Sequence, residues 1–171
     1  ARNRPLAPIL EAFRSLGVSV AGDTLPFTVH GTGRAEGGPV EIDASGSSQF
    51  VSGLLLAAPR FERGVQIRHT GGTLPSMPHI EMTVAMLQHA GVQVEATASS
   101  WSVESQPIRG SHWEIEPDLS NAAPFLAAAA VTGGEVRIPH WPVASTQPGA
   151  TMQSILERMG CEVELEAAGA G

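Results

Sequence analysis

The sequence predicts a mixed α/β fold built from a repeated βαβαββ unit of about seventy residues. Three helical stripes of apolar residues each end at a glycine, at Gly17, Gly91 and Gly160, and an alternating segment follows each glycine. A glycine in that place favours a left-handed helix cap, and alternation favours a strand. A second element recurs at about the same spacing. It consists of an apolar run, a glycine and an alternating segment, and the alternating segments lie at Val65–His69 and at 136–140. Two elements with one spacing indicate an internal repeat.

One complete repeat is predicted in the middle of the chain. Its elements are a strand at 40–42, an apolar helix from Ser47 to about Ala58, a strand at Val65–His69, a helix from about Pro78 to Ala90, and strands at 92–95 and 101–103. A helix at 6–16 with strands at 18–20 and 25–30 ends an earlier repeat. A strand at 113–115, an apolar helix around 125–131 and a helix at 152–159 with a strand at 161–165 begin a later one. Because the chain starts and stops inside repeats, we expect it to be part of a longer protein.

Composition sets the class of protein. Of 171 residues, 42% are apolar and 16% charged, with 19 glycines and 13 prolines, which suits a folded domain of short elements. The net charge of −7 argues against a nucleic-acid surface, and the longest apolar run is too short for a membrane span. The single Cys161 excludes an internal disulfide and fits a reducing cytoplasm. The histidines lack the spacing of a zinc site, so no metal is expected.

The stretch from Asp43 to Phe50 is the first candidate for binding chemistry. It joins a predicted strand to a helix with small and hydroxyl-bearing residues. The unpaired N–H groups of a helix start attract anions, and Ser47, Ser48 and Gln49 add side-chain donors. The pattern predicts a pocket for a phosphate or a carboxylate. An ordinary serine cap explains the same residues and is the more frequent case on local pattern alone.

Three motifs in order favour the pocket. They are Ser-Ser-Gln-Phe at 47–50, Leu-Pro-Ser-Met-Pro-His-Ile at 74–80, and Glu-Pro-Asp at 116–118 leading into the apolar run at 125–130. In this order and spacing, residues from about 4 to 166 resemble the middle of the 5-enolpyruvylshikimate-3-phosphate synthase family. The resemblance implies two lobes of three repeats each. By that likeness residues 1–114 belong to the lobe that binds shikimate 3-phosphate, and 115–171 begin the second lobe.

The resemblance also implies a reaction. The family transfers the enolpyruvyl group of phosphoenolpyruvate to the 5-hydroxyl of shikimate 3-phosphate and releases phosphate, through addition and elimination, with no metal or organic cofactor. Such chemistry needs a general acid and base at the reacting carbon and many donors for the anionic groups. The implied partners are these two small molecules, with neither nucleic acid nor membrane.

Site residues carry over motif by motif. The likeness assigns Ser47 and Ser48 to the 3-phosphate and Gln49 to a place between the two substrates. Ser76 matches a second phosphate-binding serine motif. Arg4, before a proline, matches an arginine that binds phosphoenolpyruvate. An exposed charge near a chain end is the alternative for that residue.

Two positions depart from the family pattern. His79 stands where many relatives have a tyrosine against the shikimate ring, and Met77 stands where many have a basic residue. The family's catalytic carboxylate matches no residue up to Gly171, so no catalytic residue is assigned. We expect the isolated chain to be inactive and to self-associate through the apolar run at 125–131. Asp118 is predicted to cap a helix.

Two other functions remain open. A related enolpyruvyl transferase that acts on a nucleotide sugar shares the repeat but not this pairing of Ser-Ser-Gln-Phe with Pro-Ser-x-Pro. A non-catalytic anion-binding or structural repeat domain is the alternative from a different class.

Overall fold

The computed structural model describes residues 6–165, and the chain divides into two units, Ala1–Ser111 and His112–Gly171. The mixed α/β class predicted from the sequence is confirmed by the order of its elements. The division falls close to the predicted change at residue 114, while the assignment of each unit to a lobe stays a prediction. Among residues 6–165, no helix is both long enough and apolar enough to cross a membrane.

The first unit alternates helices and strands, as the repeat pattern predicts. Its elements are α1 Ala7–Ser15, β1 Ser19–Ala21, β2 Thr28–His30, β3 Gly38–Ile42, α2 Gln49–Ala57 with a 3₁₀ turn at Ala58–Arg60, β4 Val65–His69, α3 Met77–His89, β5 Glu95–Ala96 and β6 Ser100–Val103. Strands β1 and β2 pair antiparallel as a ribbon, and the other four form a sheet in the order β3-β4-β6-β5.

The four-stranded sheet has one apolar and one polar face. Strands β3 and β4 are parallel, while β6 lies antiparallel to β4 and β5 antiparallel to β6. Register aligns Val40 with Ile67 and Ile67 with Trp101, and all three side chains are buried. On the opposite face Arg68 forms an ion pair with Glu41. The side-chain period of two along each strand produces this division, so the helices cover only one face.

Helices α2 and α3 confirm two predictions of the sequence. The predicted bounds shift by one or two residues at the ends, and the helices pack side by side over the sheet. Val51, Leu54 and Leu55 of α2 are fully buried in the core. The run is apolar on nearly every side, yet Leu56 is 48% exposed. An outward face therefore remains on a helix that the sequence predicts to be buried all round.

The three glycines predicted to end helices adopt the left-handed conformation. Their φ angles are 84° at Gly17, 80° at Gly91 and 90° at Gly160. The N–H group after each glycine donates to the carbonyl five residues earlier, at 2.9, 2.9 and 3.0 Å respectively. This pattern is a Schellman motif, which satisfies carbonyls that a helix end leaves free. The predicted caps are confirmed in both units.

The second unit is helical over its described residues. It contains α4 Leu119–Thr132, a 3₁₀ turn at Pro148–Thr151 and α5 Met152–Arg158. Asp118 caps α4 as predicted, because its Oδ1 accepts the Asn121 N–H at 2.9 Å. Leu119 is fully buried, whereas Phe125 is 63% exposed.

Several predicted strands are wrong or too long. Residues 113–115, 136–140 and 161–165 form no strand, and the strand predicted at 92–95 shrinks to Glu95–Ala96. An alternating sequence becomes a strand only when a neighbouring strand completes its hydrogen bonds. Residues 112–165 contain no such neighbour.

Candidate functional site

Two loops that carry the predicted anion-binding motifs meet at one edge of the sheet. The first loop, residues 43–48, leads from β3 to α2, and the second loop, residues 70–76, leads from β4 to α3. Because β3 and β4 are parallel neighbours, their carboxyl ends lie together. Ligand sites of open α/β sheets are commonly found outside such ends. The fold therefore brings together two motifs that are separate in the sequence.

A direct hydrogen bond joins the loops. The Ser76 N–H donates to Ser48 Oγ at 2.9 Å across 28 positions of sequence, and Ser48 is only 4% exposed. Ser48 precedes α2 and Ser76 precedes α3, so the bond ties one helix start to the other. The Ser48 hydroxyl is thus held in place and keeps its own proton for a further acceptor.

The serines do not act as ordinary caps of their own helices. Ser48 and Ser76 occupy the N-cap positions of α2 and α3, but neither side chain accepts a capping hydrogen bond from its own helix. Ser47 Oγ does accept the Gln49 N–H, at 3.3 Å. Ser47 precedes the N-cap position, so this stretch makes no ordinary N-cap hydrogen bond to α2.

The other predicted site residues that the structure describes lie in the first turns of α2 and α3. Gln49 begins α2 and is exposed, and His79 is exposed on the first turn of α3. The His79 carbonyl accepts the Thr83 hydroxyl at 2.9 Å. Met77, at the position where the family resemblance leads us to expect a basic residue, is half-buried against the core. Arg4 lies outside the described residues.

Sequence reasoning missed a histidine that contacts both loops. His69 ends β4, and its Nε2 lies 2.6 Å from the Gly72 carbonyl oxygen. Its Nδ1 lies 3.2 Å from the Ala44 nitrogen and 3.2 Å from the Ile42 oxygen. Sequence reasoning weighs His69 only as a metal ligand, and the available signal is a histidine at a strand end shortly before Gly71 and Gly72.

A glycine of the second loop permits the close approach of the two loops. A Cβ atom on Gly71 would lie 1.9 Å from Asp43 Oδ1 and 2.3 Å from Ser45 Oγ. No side chain fits in that space without displacing the first loop.

The only charged group of the two loops is Asp43. Its carboxylate accepts the Ser45 N–H at 2.9 Å. The Ser45 hydroxyl and then the Ser45 N–H hold the pKa of Asp43 below its ordinary value of 3.8. The hydroxyl is enclosed but completes no hydrogen bond of normal geometry, so the N–H is the firm partner. Residues 43–49 and 70–79 include neither lysine nor arginine. An anion at this junction would be held by neutral donors.

Residues 6–165 contain no group of three histidine, cysteine, aspartate or glutamate side chains that could hold a metal ion. What the junction offers chemically is orientation. Two helix starts and their hydroxyls converge on one edge, which is suited to fixing an anionic group in place.

Comparison with known proteins gives two findings. A sequence model of the EPSP synthase family, 3-phosphoshikimate 1-carboxyvinyltransferase, matches residues 1–170. Two solved structures of EPSP synthase from Acinetobacter baumannii resemble this chain with a TM-score of 0.66 and 23% identity over 93% of its length. The chain spans 35% and 36% of the length of those two proteins. The structural likeness shows a shared fold, and the family match extends over nearly the whole sequence. The chain belongs to the EPSP synthase family.

Proposed function

We propose that this chain supplies a phosphate-binding part of an enolpyruvyl transferase, one that moves the enolpyruvyl group of phosphoenolpyruvate to the 5-hydroxyl of shikimate 3-phosphate. The observation that carries the proposal is the hydrogen bond from the Ser76 N–H to Ser48 Oγ. It joins the two serine motifs that the family resemblance assigns to one phosphate.

The proposed roles follow from the contacts. Ser48 uses a lone pair for Ser76, so its hydroxyl proton is available to a phosphate oxygen. The Ser47 hydroxyl adds a donor on one side, and Ser76 adds its hydroxyl on the other. Gln49, exposed at the start of α2, extends the donor set toward the second substrate. Arg4 is proposed to contact phosphoenolpyruvate and His79 to lie against the shikimate ring.

Binding by the chain alone is expected to be weak. Hydrogen bonds to a charged group contribute about 1.5–3 kcal/mol each when preorganised, but exposed sites are screened by salt. The junction has no cationic side chain within residues 43–49 and 70–79, and Asp43 adds a negative charge. We therefore propose a dissociation constant for shikimate 3-phosphate of about 1 mM or weaker.

Calorimetric titration with shikimate 3-phosphate tests this proposal. Ser48→Asp should abolish binding, because the new carboxylate repels the anion. Since it still offers an acceptor to the Ser76 N–H, the fold should survive. Ser105→Asp, at an exposed position outside both loops, is the matched control and should bind like the wild type. Equal binding by wild type and Ser48→Asp would contradict the assignment.

Turnover is a separate question. We propose that the 171-residue chain alone releases no phosphate from the two substrates, because no residue of it matches the family's catalytic carboxylate. Phosphate release above a protein-free control would overturn this statement.

We further propose that the second unit mediates self-association. Phe125 is 63% exposed and Val131 is 86% exposed on α4, which makes an apolar surface of the kind that usually marks an interface. Analytical ultracentrifugation should show Phe125→Glu shifting the chain toward monomer. Met86→Glu, on the 52%-exposed Met86 of α3, should leave the association unchanged. A wild-type chain that stays monomeric at high concentration would contradict the proposal.

A cytoplasmic location is proposed from composition. Cys161 is a free thiol and the only cysteine, which a reducing compartment favours.

A further inference from the structure

His69, which lies outside both loops of the site, contacts each of them through its side chain. It ends β4, directly before the second loop, and is half-buried. One ring nitrogen faces the first loop at Ala44 and the other faces the second loop at Gly72. A single ring thus contacts both of the segments that carry Ser48 and Ser76.

The chemistry of the contacts fixes the tautomer. The Gly72 carbonyl oxygen, 2.6 Å from Nε2, only accepts hydrogen bonds, so Nε2 must carry a proton. The Ala44 N–H, 3.2 Å from Nδ1, only donates, so Nδ1 must present its lone pair. The neutral Nε2–H form satisfies both contacts at once.

Protonation would change one of the two contacts. A proton on Nδ1 removes the acceptor of the Ala44 N–H and points instead at the Ile42 carbonyl oxygen, 3.2 Å away. Asp43 is the charged group that faces the ring from the first loop. Residues 70–76 and 97–100 carry no charge, and the adjacent Arg68 is paired with Glu41. The charged ring would therefore release Ala44 while keeping its bond to the second loop.

We infer that His69 is a positioning residue: its neutral imidazole clamps the two loops and so sets the spacing of the serines that would hold the anion. This inference rests on the proposed function. The Gly71 contacts support it, because a Cβ there would strike the Asp43 carboxylate at 1.9 Å, which shows that the loops are held at close range. The Ser76 N–H bond to Ser48 lies at the far ends of the same two loops.

Two variants and a control test the role of the ring. His69→Leu removes both contacts, and we expect it to weaken phosphate or shikimate 3-phosphate binding about three- to tenfold, as loss of one or two hydrogen bonds would. His69→Asn restores an acceptor near the Nδ1 position and should recover part of the affinity. His30→Asn, on the exposed strand β2, should bind like the wild type. Unchanged affinity in a folded His69→Leu protein would overturn the inference.

NMR gives a readout that a merely structural histidine would not move. We expect ¹⁵N shifts of His69 to report the Nε2–H tautomer, and the Ala44 amide to lose protection from exchange in His69→Leu. The Nδ1–H tautomer, or an Ala44 amide equally protected in wild type and His69→Leu, would contradict the clamp. Absence of any anion binding by the wild type would overturn the proposed function and the role of His69 in it. The tautomer and the Ala44 amide would then decide separately whether the clamp exists.

Discussion

The two units of this chain have similar sequence patterns, with helices that end at a glycine and alternating segments after them, but they form different structures. Both contain helices that end in a glycine Schellman motif, at Gly91 in the first unit and at Gly160 in the second. Over residues 6–165 only the first unit forms a sheet, and its core includes fully buried Leu54 and Val65, whereas Phe125 of the second unit is 63% exposed. Helix formation depends on bonds within one segment, but a strand needs a partner elsewhere in the chain. The difference teaches which sequence signals are sufficient by themselves.

The largest expected effect is a difference in stability between a substitution at buried Leu54 of the first unit and one at exposed Phe125 of the second. We expect Leu54→Ala to lower the free energy of unfolding by about 2–5 kcal/mol, because it leaves a cavity in a fully buried site. At concentrations where the chain is monomeric, Phe125→Ala should change it by less than about 0.5 kcal/mol, since surface changes are usually that small. Urea unfolding followed by amide resonances of each unit measures both values. Similar losses in the two variants would mean that Phe125 is buried in solution.

A second test addresses the close approach of the loops in the first unit. Gly71→Ala should cost about 1–3 kcal/mol, because the added methyl group collides with the Asp43 carboxylate and the Ser45 hydroxyl. Gly31→Ala, at a loop position where no atom lies within 4 Å of the new Cβ, is the matched control and should be nearly neutral. Thermal unfolding measures both. Equal stability of Gly71→Ala and wild type would show that the loops are farther apart than described.

The helical second unit should depend on its cap. Asp118→Ala removes the acceptor of the Asn121 N–H and should destabilise α4 by about 1 kcal/mol. Asp118→Asn, which keeps an acceptor, should retain most of that stability. Hydrogen exchange of amides in α4 is the measurement. Unaltered protection in Asp118→Ala would mean that packing, and not the cap, fixes this helix start.

The smallest effect concerns pH. The Ser45 hydroxyl and N–H hold the pKa of Asp43 below 3.8, so its ionised form is favoured by folding. The resulting stability is present above the unfolded pKa and is lost as pH falls through the folded pKa. Asp43→Asn should therefore slightly lower stability at neutral pH and flatten the acid limb of the stability curve, because it removes the stability that is present above the unfolded pKa. An acid limb identical to that of the wild type would contradict the Ser45–Asp43 contact.

The sequence was sufficient for features that are local. The three glycine caps, the Asp118 cap and the approximate bounds of α2 and α3 depend on residues a few positions apart, and each was predicted. The predicted helix around 125–131 was too short, because α4 begins at Leu119. The strands predicted at 113–115, 136–140 and 161–165 are wrong, because an alternating sequence does not show whether a neighbouring strand is present to pair with it.

The candidate site shows the same limit. The serine motifs were visible in the sequence, but the bond between Ser48 and Ser76 depends on the parallel pairing of β3 with β4. The contact of His69 with Ala44 depends on the same pairing, whereas its contact with Gly72, three residues along the chain, is local.

The central claim is that the junction of Ser48 and Ser76 binds the phosphate of shikimate 3-phosphate. The most direct test is an NMR titration of the ¹⁵N-labelled chain with that ligand. We predict that the amides of Ser47, Ser48, Gln49 and Ser76 shift together along one saturation curve, with a dissociation constant of about 1 mM or weaker. Shifts confined to other residues, with these four amides unmoved, would contradict the account.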